Sequence, residues 1–107
     1  MKTIRILLAA TLVAFTGSAF ASGDASVGQK KSTPCAVCHG AEGVSPSPEF
    51  PNLAGQYPDY IETALKHYQN GKRKNPIMAA QVKELKAKDI QDLAAFFSSQ
   101  RALSVKH

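Results

Sequence analysis

The chain has 107 residues, two cysteines and a formal net charge of +5. That length suits one small domain and is too short to bury a large core without a staple or a cofactor. Two cysteines cannot by themselves complete a four-ligand zinc site, and a mildly basic balance gives no argument for nucleic acid as a partner.

Residues 1–21 read as a secretory leader. Lys2 and Arg5 form a basic start, Ile6 to Phe15 is apolar apart from Thr11, and Ala19-Phe20-Ala21 is a small-x-small cleavage signal. The apolar run is too short, and too promptly followed by polar sequence, for a membrane-spanning helix; an uncleaved N-terminal anchor is the alternative. Cleavage after Ala21 leaves one exported 86-residue domain, 22–107, with no transmembrane segment. Without Lys2 and Arg5, eleven cations stand against eight acids, a net charge of +3.

The first helix is expected from about Asp24 to Thr33. Asp24 is a suitable N-cap, Lys30 and Lys31 favour the C-terminal end of the dipole, and Pro34 disfavours helix at Thr33. Gly28 in its middle costs about 1 kcal/mol relative to alanine, which implies that another element passes close by.

Cys35-Ala36-Val37-Cys38-His39 follows. Cys-x-x-Cys-His is the attachment sequence of a c-type haem. The two thiols add to the two porphyrin vinyl groups, and the two intervening residues set their separation. The adjacent imidazole can then ligate the iron. On this reading Cys35 and Cys38 carry one covalent haem c, and His39 is an iron ligand. A thioredoxin-type redox pair does not need the histidine and belongs in a βαβ pattern that is not found here. Zinc would need two further well-spaced ligands, with no third cysteine to supply one. A disulfide is sterically poor across two residues of a helical turn. A covalently held haem would also act as a large apolar plate at the centre of a short chain's core.

Residues 40–56 hold Gly40, Gly43, Gly55, Pro46, Pro48 and Pro51, and read as a loop long enough to wrap one edge of a haem. A second helix is well signalled. Pro58 fits its first position, Tyr57, Ile61, Ala64, Leu65 and Tyr68 follow a helical stripe, and Asn70-Gly71 ends it. Lys72 to Pro76 reads as a second loop, with a short helical stretch at Ala79 to Leu85. The last helix is expected over about Ala87 to Arg101, with Ile90, Leu93, Ala94 and Phe97 at helical spacing and Phe96 beside them. No segment alternates with period two. The expected fold class is therefore all-α: about three main helices plus short helical segments around one covalent haem.

A sixth iron ligand has few candidates. Outside the leader the only methionine is Met78, and a thioether is a soft, neutral ligand that favours ferrous iron. Met78 follows Asn75-Pro76-Ile77 between two helices, a place suited to presenting a side chain to the open haem face. A lone methionine is otherwise a core filler. His67 falls about 120° from Ile61 on the helical wheel, off the apolar stripe, and reads as a surface histidine. His107 is the final residue. The order of preference is Met78, then His67, then an open or water-bound position.

These residues resemble the class I c-type cytochromes, the small soluble bacterial type, across nearly the whole of 22–107. The carriers of the resemblance are Gly28, Cys35-Ala36-Val37-Cys38-His39-Gly40, Pro51-Asn52-Leu53-Ala54-Gly55-Gln56, Met78, and Asp92-Leu93-Ala94-Ala95-Phe96-Phe97. The segment from Phe50 to Gln56 is most similar to cytochromes of the c-553 type and to one half of the dihaem cytochromes c. The resemblance implies that His39 and Met78 are the axial ligands of the iron. It implies that the Pro51 carbonyl accepts a hydrogen bond from His39 Nδ1, that Leu53, Leu65, Tyr68 and Leu93 line the haem, and that Gly28 lets the first helix cross the last against Phe96. Two features depart from the family. Lys86 stands where a Ser or Thr cap is common, with Asp89 at N3 as partial compensation. The methionine segment continues Met78-Ala79-Ala80 in place of a proline-rich turn.

The implied function is that of a periplasmic electron-transfer protein: a monomeric one-electron carrier with His/Met ligation, not an enzyme. Its partners would be electron donor and acceptor proteins, including membrane oxidase or reductase complexes. The alternative is an electron-transfer or catalytic haem subunit of a larger periplasmic oxidoreductase complex. A catalytic haem needs a labile distal position and polar acid–base groups, and no such pair adjoins Met78 in sequence. Lys72-Arg73-Lys74 and Lys30-Lys31 are expected near the haem edge, as a basic rim for an acidic partner.

Overall fold

A computed structural model describes residues 23–101, together with residues 3, 4, 6 and 9–12. The cleavage signal at 19–21, most of the leader and His107 lie outside the described residues. Five helices follow in chain order: α1 (Ala25–Lys31), α2 (Thr33–His39), α3 (Pro58–Asn70), α4 (Pro76–Val82) and α5 (Ala87–Ser99). Among the described residues there is no strand, and the class is all-α as the missing period-two alternation predicts.

The expected first helix is shorter than predicted, and the haem motif is itself helical. Asp24 caps α1, its Oδ1 accepting the N–H groups of Ser26 at 2.9 Å and Val27 at 3.2 Å. The turn at buried Ser32 then separates α1 from α2. Pro34 sits in the first turn of α2, where a missing N–H leaves no helical hydrogen bond unmade. The proline that disfavours helix before it therefore starts the helix that carries both cysteines and His39.

α3 begins at Pro58 and gives way to Gly71 at φ 80°, as its sequence signals predict. α4 begins three residues before the expected stretch. The Oδ1 of Asn75 accepts the N–H groups of Ile77 at 3.0 Å and Met78 at 3.1 Å, and Pro76 takes the first turn. α5 opens at Ala87 with the Lys86 N–H donated to Asp89 Oδ2 at 2.8 Å, so Asp89 supplies the cap that the Lys86 side chain cannot.

The core lies along α5. Ile61 of α3 packs with Leu93, Ala94, Phe96 and Phe97, and Cys35, Leu53, Leu65 and Leu85 border this cluster. The Phe96 and Phe97 rings are tilted at 5.0 Å between centroids. α1 crosses the other side of α5 at Gly28. A Cβ at that glycine would fall onto the Asp92 carbonyl and within 2.8 Å of Phe96 Cβ. Gly28 is thus required by approach to a backbone group as well as to Phe96. Asp92, 1% exposed, fastens the crossing from the α5 side. It accepts the Asp24 N–H at 2.8 Å, Lys31 Nζ at 2.7 Å and Lys88 Nζ at 2.6 Å.

Candidate functional site

The other face of the core is open. Between α2, the 40–56 loop, α3, α4 and α5 lies a cavity of about 640 Å³, within the roughly 300–1,000 Å³ of ordinary ligand and cofactor sites. From α2 it receives Cys35, Cys38 and His39, and from the loop Pro51 and Leu53. Leu65 and Tyr68 come from α3, Met78 from α4 and Leu93 from α5. The structure brings all nine sequence-predicted site residues to this one wall. His67, half-buried, is not part of it.

His39 ends α2 and is 7% exposed. Its Nδ1 lies 2.8 Å from the Pro51 carbonyl oxygen. A carbonyl only accepts, so Nδ1 is the protonated nitrogen and Nε2 keeps its lone pair for a metal. Phe50 meets the ring edge-on at 6.5 Å between centroids. The loop holds Pro51 in place through bonds made by the three residues that follow it. The Gly43 carbonyl accepts the N–H groups of Leu53 at 2.7 Å and Ala54 at 3.0 Å. Asn52 Oδ1 accepts the Ser45 N–H at 2.7 Å. Gly43 is buried at φ 78°, and a Cβ there would come 2.8 Å from the Ala54 nitrogen and 2.9 Å from Phe97 Cδ1. Only glycine accommodates both the conformation and the space.

Met78 is the third residue of α4, half-buried, with its N–H bound to the Asn75 cap. The far end of that helix is also tied. Gln69 Nε2 donates to the Val82 and Leu85 carbonyls, each at 2.8 Å, which satisfies acceptors that a helix end leaves open. The predicted methionine loop is therefore a short helix pinned at both ends.

Two of the three competing readings of the cysteines, the redox pair and the zinc site, do not fit this setting. Burial pushes the Cys35 thiol above its ordinary value, whereas a disulfide-exchange site needs a stabilised thiolate. Among the described residues no three His, Cys, Asp or Glu side chains converge as a metal site would require. The wall does fit a haem. It is mainly apolar, it holds two thiols at the attachment spacing, and it offers one imidazole nitrogen and one thioether.

The charges around the cavity differ from expectation. Lys31 pairs with Asp89 at 2.8 Å and Asp92 at 2.7 Å, so it belongs to the α1–α5 crossing, and neither it nor Lys30 lines the cavity. Of Lys72, Arg73 and Lys74, only Arg73 lines the cavity. Sequence reasoning also missed Phe50 and the buried Asp92, and placed Ile61 on the α3 stripe without assigning it to the cavity. Only the i,i+4 pair with Lys88 marked Asp92 locally; its burial comes from Asp24 and Lys31, more than sixty residues away.

Comparison with known proteins agrees with this geometry. Residues 24–97 match the family described as cytochrome C oxidase, cbb3-type, subunit III. Cytochrome c4 of Pseudomonas aeruginosa is 42% identical over 101 residues, covering 94% of this chain and 50% of its own length. Cytochrome c-554(548) of Halomonas halodenitrificans is 40% identical over 82 residues, covering 74% of this chain and 99% of its own. The crystal structure of reduced recombinant cytochrome c4 from Pseudomonas stutzeri superposes with a TM-score of 0.71 at 40% identity, covering 74% of this chain and 46% of that one. The chain thus spans about half the length of the cytochrome c4 relatives. A Cys-x-x-Cys-His helix, an apolar cavity and this likeness along most of its length place the chain in the c-type cytochrome family, with the all-helical class I fold and the covalent haem c that this family carries.

Proposed function

We propose that this protein is a periplasmic one-electron carrier whose haem c is tethered by Cys35 and Cys38 and whose iron is ligated by His39 and Met78. The observation that carries the reading is the arrival of Met78 and His39, from separate pinned helices, at the wall of one apolar cavity. Haem iron supplies the chemistry, exchanging one electron between its ferric and ferrous states. The chain's own residues do the rest. The Pro51 carbonyl fixes the His39 tautomer and raises the basicity of Nε2. The Met78 thioether favours the ferrous state and fills a position that an outside ligand would otherwise take. Leu53, Ile61, Leu65 and Leu93 exclude water, which lowers the local dielectric and the reorganisation that accompanies a change of charge.

Export through residues 1–21 places residues 22–107, as a single haem domain, in the compartment where c-type haem attachment takes place. Among the described residues no helix is long and apolar enough to cross a membrane. The partners are electron donor and acceptor proteins, met by a monomer.

Visible spectra of the purified protein, oxidised and reduced, with and without carbon monoxide, test the reading. A six-coordinate, low-spin centre with a sulfur-to-iron band near the red edge of the oxidised spectrum, unreactive to carbon monoxide, is the expected result. Met78→Ala is expected to lose that band, lower the potential and admit carbon monoxide, while His67→Ala changes none of these. A wild-type protein that binds carbon monoxide readily would favour a catalytic haem subunit instead.

A further inference from the structure

Resting on the haem reading above, we propose that Arg73 holds a propionate of the haem, and that Tyr60 and Tyr68 are positioning residues that aim it. A haem is a dicarboxylate as well as an apolar plate. A carboxylate brought to the mouth of an apolar cavity needs a donor or a cation there. Among the residues that line this cavity Arg73 is the single lysine or arginine, and Glu49 is the single acid.

Arg73 is held as a surface arginine ordinarily is not. Its backbone N–H donates to the His67 carbonyl at 3.0 Å. Its Nη1 donates to the Tyr60 hydroxyl at 3.1 Å, and its Cζ lies 5.1 Å from the centre of the Tyr68 ring. These three contacts all come from α3. The first fixes the backbone, and the two side-chain contacts remove much of the rotamer freedom that would otherwise be lost on binding an anion. The Tyr60 bond occupies one of five guanidinium donors, and the planar fork matches a carboxylate in two-point geometry. Lys72 and Lys74 flank Arg73 in sequence and do not line the cavity, so this placement is particular to Arg73.

A cation paired with the propionate offsets negative charge near the iron and so favours the ferrous state. The test is the midpoint potential of holoproteins carrying Arg73→Gln, Arg73→Lys and Lys74→Gln, each first shown by intact mass to hold one covalent haem. Arg73→Gln is expected to shift the ferric–ferrous ratio about tenfold toward ferric, about 59 mV for one electron. Lys74→Gln, the same loss of charge one residue away, is expected to shift it several times less. Arg73→Lys should fall between wild type and Arg73→Gln, because an ammonium keeps the charge and loses the fork. Equal shifts in Arg73→Gln and Lys74→Gln would overturn the proposal, since Arg73 would then act only as one more surface charge. Should Arg73→Gln fail to fold, an Arg73→Lys potential equal to wild type overturns it, and a lowered one supports it. Absence of covalent haem from the wild type would defeat the haem reading itself, a separate outcome.

Discussion

The two sides of α5 are built on different terms. On the α1 side helices meet at backbone distance across Gly28. The polar group buried there, the Asp92 carboxylate, has all its partners within the chain: one backbone N–H and two ammonium groups. On the other side α2, α3 and α4 stand around a cavity of about 640 Å³ lined by leucines, aromatics and two thiols. An apolar space of that size calls for a filler, because a lining without partner atoms forfeits dispersion contacts. The helices there are held at their ends, by Asn75, by Gln69 and by the glycine-rich loop, more than by one another. One half of the core is completed by side chains and the other half by the cofactor.

Removing the tether breaks this contrast most severely. Cys35→Ala with Cys38→Ala leaves no covalent haem, and the cavity side loses its filler. The mass should drop by one haem and the visible bands should vanish. Amide exchange should then become fast in α3 and α4 before it does in α1 and α5. If α3 and α4 of the haem-free protein kept the protection of α5, the chain would be filling that half of its core unaided.

Damaging the closed side should cost less and cost it differently. Gly28→Val sets a branched side chain against the Asp92 carbonyl and Phe96 Cβ. Overpacking of this kind costs roughly 1–3 kcal/mol, and each kcal/mol lowers the melting temperature by about 4–8 °C in a domain of this size. The haem spectrum should be unchanged, since Gly28 does not line the cavity. A spectrum that moved together with the melting temperature would mean that the two sides are coupled through α5.

The contrast also explains what could be read in advance. Haem attachment, the Pro58–Asn70 helix, the apolar stripe of α5 and the close approach at Gly28 depend on spacing within a few residues, and so each was legible. The placement of Met78 was legible only in outline. An Asn-Pro pair predicts a turn and a helix start equally well, and the Asn75 cap, with its two N–H acceptances, decides for the helix. The boundary at Ser32 was misplaced because Pro34, which disfavours helix just before it, also fits the first turn of a new helix, and that turn takes in Thr33. Arg73 was legible only as one of three basic residues expected near the haem edge, and Asp92 only as part of the family-like last helix; what singles each out was not. Asp92 sits beside an apolar stripe and takes its role from Asp24 and Lys31 at the far end of the chain, and Arg73 sits in a basic run and takes its role from tyrosines of the preceding helix.

The carboxylates of the closed side give it an acid dependence. Asp92 is held well below the usual carboxylate range by Lys31 and then by Lys88 and the Asp24 N–H. Asp89 is lowered first by Lys31, and Asp24 by the Ser26 hydroxyl and the Val27 N–H. A carboxylate whose folded pKa is depressed stabilises the fold above its unfolded value, about 3.9, and that stability is lost as pH falls below it. The melting temperature of the holoprotein should therefore be level from about pH 5 upward and decline below about pH 4. Asp92→Asn keeps a side-chain acceptor for Asp24 and gives up the ion pairs, so its curve should start lower and decline less. An unaltered slope in Asp92→Asn would remove Asp92 from the cause.

The smallest effect concerns docking, where the two sides should again separate. Lys31 is bound to Asp89 and Asp92, so the rim that a redox partner meets has lost a charge that the sequence seemed to offer. What remains beside the cavity is Lys72, Arg73 and Lys74, together with exposed apolar groups on its wall: Val37 at 80% and Ile77 at 58% exposure. Two lysines steer weakly, since fields that speed association 10- to 1,000-fold arise from larger clusters and are screened beyond about 8 Å at physiological salt. Lys72→Glu with Lys74→Glu should slow electron transfer to an acidic partner severalfold at low salt. At high salt the difference should disappear, because it acts on encounter and not on the docked pair. Lys30→Glu carries half the charge change but sits on the α1 side, and it should leave the rate as it is. Equal slowing by Lys30→Glu would show that only net charge matters. A double variant as fast as wild type at every ionic strength would assign docking to Val37 and Ile77, the apolar rim, alone.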